Sequence, residues 1–171
     1  MELDFEIDKI TESIECAKTG ESFETLVLPI EKADLKEATK KNGWKFDWKL
    51  EFNVPKRLVY KLVKKQETEI IQGIVSFEKD DGFVKMPLIE TAPFNFGKSK
   101  KHQGVCGNLV AYGCKWSIEL GFDGVLSFIS KTDLIEHYIK TLGAVHLGGQ
   151  RMAIFEDKAA ILVNNYFPKE E

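Results

Sequence analysis

The stretch KKHQGVCGNLVAYGCKWSIELG, residues 100–121, decides the fold. Val105, Leu109, Tyr112, Trp116 and Leu120 recur at spacings of four, three, four and four, which is one apolar face of a helix, and Gly121 stops the run. Just ahead of it, Lys101-His102-Gln103-Gly104 is a basic turn that runs straight into the helix. The unpaired N–H groups of a helix start, together with its dipole, favour an anion. Gly104 lets the backbone approach a ligand closely, and Lys98, Lys100 and Lys101 bring positive charge. Local physics leaves two readings open: an anion site, or a plain strand-to-helix connection with exposed lysines.

A rival phosphate loop lies just upstream. Residues 92–99 read A-PFNF-GKS, a Walker A pattern without its first glycine. Such a loop must open directly into a helix that packs on a sheet. Here KKHQ follows Gly97-Lys98-Ser99, and no apolar residue comes before Val105. The GKS tripeptide reads better as a solvated loop with a turn glycine.

Three strands precede the loop, at residues 57–63, 69–77 and 83–90, with Asp80-Asp81-Gly82 as the hairpin turn between the last two. Pro87 cannot donate to a ladder and predicts an irregularity in the third strand. After the helix come an apolar strand at 125–129 and a second helix opened by Asp133 and Glu136 and closed near Leu142-Gly143. Two short strands around Gly148-Gly149 and an amphipathic tail after Asp157 end the chain. Towards the beginning, residues 22–30 read as one strand. Asp34 opens a short helix with Glu37 as capping partner, closed by Asn42-Gly43. Trp44, Phe46, Trp48 and Leu50 alternate as the buried face of an extended segment. The whole is a mixed α+β fold with a mostly antiparallel central sheet flanked by helices.

The chain of 171 residues suits one domain over 1–171, with 43% hydrophobic and 30% charged residues. A net charge of −3 gives no strong field towards nucleic acid or membrane. No run approaches the roughly 20 apolar residues of a membrane span, and the acidic start MELDFEIDKI does not resemble a signal peptide. Cys16, Cys106 and Cys114 are odd in number, with no CxxC and no nearby His pair. That argues against a disulfide framework and against a metal site, and for a reducing cytosol.

Residues 57–152 resemble the GNAT superfamily of acyl-CoA-dependent N-acyltransferases. In that family a central strand leads to a loop of form R/Q-x-x-G-x-G/A whose backbone N–H groups grip the acyl-CoA pyrophosphate at a helix start. Lys101, Gly104 and Cys106 stand at the three motif positions, with Lys for Arg or Gln and Cys for the small residue. Lysine keeps the charge but loses the planar fork. The resemblance therefore assigns the acetyl-CoA site to Lys101, His102, Gln103, Gly104, Val105, Cys106 and Gly107. The segment HYIKTLGA, residues 137–144, is similar to the family's Tyr-x-x-x-Gly-Phe segment lengthened by one residue. It implies Tyr138 as the acid that protonates the departing thiolate.

Acyl transfer from a thioester to an amine must remove a proton from the amine, stabilise the carbonyl oxygen and let the thiolate go. A backbone N–H near residues 87–93, where strands splay, suits the second demand. Glu90, at the end of its strand, is the candidate base, directly or through a water. His102 and His137 read as surface or packing residues. Cys106 at a helix start is a candidate for a lowered thiol pKa, and a covalent route would need His102 beside it as base. The Trp44, Phe46 and Trp48 cluster reads as core before it reads as an acceptor pocket. The expected function is acetyl transfer from acetyl-CoA to an amine on a small molecule or a protein. The alternatives are a non-catalytic module of the same fold that binds CoA or a partner, and, more distantly, a nucleotide-phosphate enzyme using Gly97-Lys98-Ser99.

Overall fold

A computed structural model describes residues 1–169. In chain order the elements are β1 (Ile14–Cys16), β2 (Ser22–Phe23), β3 (Thr25–Pro29), α1 (Lys32–Glu37), α2 (Trp48–Phe52), β4 (Leu58–Lys64), β5 (Glu67–Lys79) and β6 (Val84–Thr91). There follow β7 (His102–Gln103), α3 (Val105–Glu119), β8 (Leu126–Ile129), α4 (Ile135–Leu142), β9 (Val145–His146), β10 (Arg151–Ile154) and α5 (Glu156–Tyr166). Seven strands form the main sheet in the order β3-β4-β5-β6-β8-β10-β9, and β2-β1-β7 form a small second one. Every pairing in the main sheet is antiparallel except β6 with β8. That exception follows from α3, which carries the chain across between the two strands.

The mixed, mostly antiparallel sheet flanked by helices is the architecture expected from the sequence. Residues 71–77 of β5 are buried without a break, because the strand is central and covered on both faces. The β5–β6 register slips between Ser76 and Glu78, opposite Pro87, where β6 lacks a backbone donor. Gly73 sets how close α3 lies: a Cβ there would stand 2.8 Å from Val105 Cγ1 and 3.0 Å from Leu109 Cδ1.

Three expectations need correction. Residues 44–50 are not extended: Asp47 accepts the Leu50 N–H at 2.9 Å and starts α2. Local capping overrides the period of two, so Trp44 and Trp48 are buried while Leu50 is 67% exposed. Residues 22–30 are two strands, not one, since Phe23 pairs with Ile14 and Thr25 with Lys64 in different sheets. Asp34 does not open α1. Glu31 is the cap, its N–H donating to Asp34 Oδ2 at 2.8 Å, and Asp34 pairs with Lys61 Nζ at 2.8 Å to pin the helix to β4. Among the described residues, no helix is long and apolar enough to cross a membrane, and no group of three or more His, Cys, Asp or Glu is placed to hold a metal ion.

Candidate active site

Strands β6 and β8 pair only at Val84 with Leu126 and Lys85 with Ser127. Beyond Lys85 they part, and the β6 edge that faces β8 opens onto a cavity of about 710 Å³. Its walls include Ile89, Glu90 and Thr91 from β6, and Cys106 from the first turn of α3. Lys45, Lys98 and Lys100 line it as well, as do Asp4, Phe5, Glu6 and Asp8. A wedge between parted parallel strands that ends at a helix start offers an unpaired backbone edge, a dipole and positive charge together.

Gly104 caps α3 at φ +85°, a conformation that glycine adopts without strain. Its N–H donates to Asp8 Oδ1 at 3.0 Å, and Asp8 Oδ2 lies 3.0 Å from Lys100 Nζ. The neighbouring donors turn inward. Lys101 N–H goes to Phe94 O at 2.9 Å and His102 N–H to Asn95 Oδ1 at 3.0 Å. Gln103 sits opposite Glu15 in the β1–β7 pair. Gly107 is closed off by Tyr166, whose hydroxyl would meet any Cβ placed there, and Val105 is buried. Of the seven residues assigned to the acetyl-CoA site, Cys106 alone lines the cavity, next to the Gly104 N–H, and the loop amides at 101 and 102 hold the loop itself together.

Glu90 reaches the cavity, but its oxygens are engaged. They accept from Lys45 N–H at 2.6 Å, Phe46 N–H at 3.3 Å and Trp48 Nε1–H at 2.9 Å. Tyr138 is fully buried, and Phe5 lies in contact with its ring at a centroid distance of 4.6 Å. Its hydroxyl donates to Phe5 O at 2.6 Å, and burial pushes its phenol well above the ordinary value. Tyr138 therefore stands behind residues 3–7, while Glu90 and Cys106 share the cavity wall.

The remaining candidates resolve by burial. The Cys106 thiol is pushed up, not down, by desolvation and then by the nearby Asp8 carboxylate. His102 is buried, and desolvation, then Lys64 and Lys101, lower it to about 4. Its Nδ1 lies 2.9 Å from Asn95 Oδ1, and Asn95 in turn donates to Gln72, so the ring pins the 93–103 loop to β5. His137 Nε2 accepts the Ile7 N–H at 2.9 Å. The residues missed from sequence are those of the 3–8 segment. Their signal was the alternation of apolar Leu3, Phe5 and Ile7 with acidic Asp4, Glu6 and Asp8.

The chain shares its fold with solved structures of a spermidine N-acetyltransferase. The spermidine N-acetyltransferase from Vibrio cholerae, solved in complex with CoA and spermine, matches with a TM-score of 0.54 at 15% identity, over 80% of this chain and 98% of that one. A dodecameric structure of the same enzyme in an intermediate state gives 0.56 at 14% identity, over 79% and 95%. A chimera built on it gives 0.55 at 14% identity, over 81% and 99%. No protein-family model matches this sequence, and no curated protein sequence matches it.

Proposed function

We propose that this chain is an acetyl-CoA-dependent N-acyltransferase acting on an amine of a small molecule or a protein. The observation that carries the reading is the wedge: β6 and β8 part beyond Lys85, and a cavity walled by residues 89–91 of β6 extends to Cys106 in the first turn of α3. A thioester arm along the open β6 edge would meet backbone groups of residues 88–91. Its phosphates would meet the Gly104 N–H, the first turn of α3, Lys98 and Lys100. The amine nitrogen attacks the thioester carbonyl, the C–N bond forms as the C–S bond breaks, the amine loses a proton and the thiolate gains one. In this reading Glu90, on the cavity wall, receives the first proton through a water, and Tyr138 supplies the second once Phe5 moves off it. The solved neighbour that holds CoA and spermine supports an amine acceptor. The three free cysteines fit a reducing compartment such as the cytosol.

One observation favours a second reading, a non-catalytic module that binds CoA or a partner: Tyr138 is sealed from the cavity and Glu90 is engaged by three N–H groups. The test has two stages. CoA at millimolar concentration should raise the melting temperature, and ATP with Mg²⁺ should do much less. Stabilisation by ATP alone would return attention to Gly97-Lys98-Ser99. Thiol release from acetyl-CoA is then screened against amines and peptides. Release with some acceptor supports the enzyme, whereas tight CoA binding with no release across a broad screen supports the module.

A further inference from the structure

We infer that residues 3–8 act as a built-in inhibitory strand that competes with the acyl-CoA substrate for the wedge between β6 and β8; this rests on the acyltransferase reading. Leu3 N–H donates to Ile129 O at 2.6 Å and Lys131 N–H to Leu3 O at 3.0 Å, a parallel bridge to the end of β8. The intervening Ser130 N–H points the other way, to Gln150 O on the β10 side. Leu3 therefore occupies the edge of β8 that β6 occupies at Leu126 and Ser127. The segment has taken over the strand edge that β6 gives up.

From there it covers the groups the reaction would use. Phe5 stacks on Tyr138 and its carbonyl accepts the Tyr138 hydroxyl. The Ile7 N–H is held by His137 on the same helix. Asp8 then places a carboxylate on the Gly104 N–H and beside Lys100, the two groups best placed for a phosphate. Asp4, Glu6 and Asp8 line the cavity together with Lys45, Lys98 and Lys100. A bound acyl-CoA would find its anion position already filled by the Asp8 carboxylate. Asp8 and Lys100 are both partly solvent-exposed, so their pairing is weak enough to exchange for a polyanionic substrate. The inhibited state holds the segment in place; the active state releases it and opens the way from Tyr138 to the cavity.

CoA itself is the probe. Asp8→Ala frees the Gly104 N–H and removes the competing charge. It should bind CoA roughly tenfold more tightly by calorimetry, on the order of one charge-assisted hydrogen bond. Asp8→Asn keeps an acceptor but not the charge, and should fall between Asp8→Ala and wild type; it also serves if the alanine variant folds poorly. In wild type, added CoA should speed amide hydrogen exchange within residues 3–8. If CoA stabilises wild type while both variants bind it no more tightly and the 3–8 amides keep their protection, the segment is a fixed wall; the inhibitory role is overturned and the acyl-CoA reading stands. If CoA binds to neither wild type nor variants, both fall together.

Discussion

Glu90 is only 9% exposed, and a side chain of its type stays inside when its oxygens are met by donors. Three N–H groups meet them, two from the backbone of the 45–46 turn and one from Trp48. Glu90→Ala strands these donors, at about 1–3 kcal/mol for each that water cannot reach. With a net loss of about 3 kcal/mol and about 2–4 °C per kcal/mol for a chain of this size, the melting temperature should fall by roughly 6–12 °C. A fall under about 2 °C would show that the 44–48 turn is held by other contacts. His102 offers a pH test. Its folded value, about 4, lies below the ordinary 6.5, so the unfolded chain binds more protons between them. The stability it contributes is complete above about pH 6.5 and is lost as pH falls towards 4. Denaturant unfolding between pH 7 and pH 5 should show a slope of up to about 1.4 kcal/mol per pH unit. In a folded His102→Gln variant that slope should shrink; an unchanged slope would assign it to other groups.

At the scale of elements, α3 joins sheet, loop and cavity, and its glycines show what limits it. Gly113 stands where a Cβ would lie 2.5 Å from Phe77 Cε1 and 3.1 Å from Leu126 Cδ1, both on buried side chains. Propensity alone would have Gly113→Ala stabilise the helix by about 1 kcal/mol. Overpacking of about 1–3 kcal/mol opposes it, and with both neighbours fully buried the clash wins. The urea midpoint of Gly113→Ala should therefore drop, by about 1 kcal/mol or somewhat more at constant m. A rise would mean that Phe77 has room to turn aside. Gly104→Val tests less than its place in the loop suggests. Its Cβ would run into the Thr11 hydroxyl and lie 2.9 Å from Ser13 O, so the variant disturbs the 11–13 segment before it touches any ligand.

Across the whole molecule, the start of the chain is held by elements far along it. The Tyr138 hydroxyl reaches Phe5 O across a separation of 133 residues, and His137 reaches Ile7 across 130. Tyr138→Phe keeps the ring and its stacking on Phe5 but leaves a buried carbonyl without its donor. The expected loss is about 1 kcal/mol, a drop of about 2–4 °C in melting temperature. Should Tyr138 also protonate the leaving thiolate, the single-turnover rate with an active acceptor should fall by about 10²–10⁴-fold. A wild-type rate in the folded variant would leave Tyr138 with its structural role alone.

Features under short-range control are legible in the chain alone. The 3.6-residue period of 105–120 placed α3, Asp80-Asp81-Gly82 placed a hairpin, Pro87 marked an irregularity, and Gly121 and Gly143 marked helix ends. The order of these elements was enough to reach the mixed α+β fold. Local rules failed where two of them competed, as at 44–50, where the Asp47 cap overruled the alternation of aromatics. The candidate site was legible only as a strip of chain, the loop running into α3. Which amides face inward was decided by partners distant in sequence: Phe94 and Asn95 take those of Lys101 and His102, and Asp8 takes that of Gly104. The alternation in LDFEID announces an extended, half-buried piece, but not which edge it joins. That choice is made by long-range packing, because the bare edge of β8 exists only once β6 has parted from it.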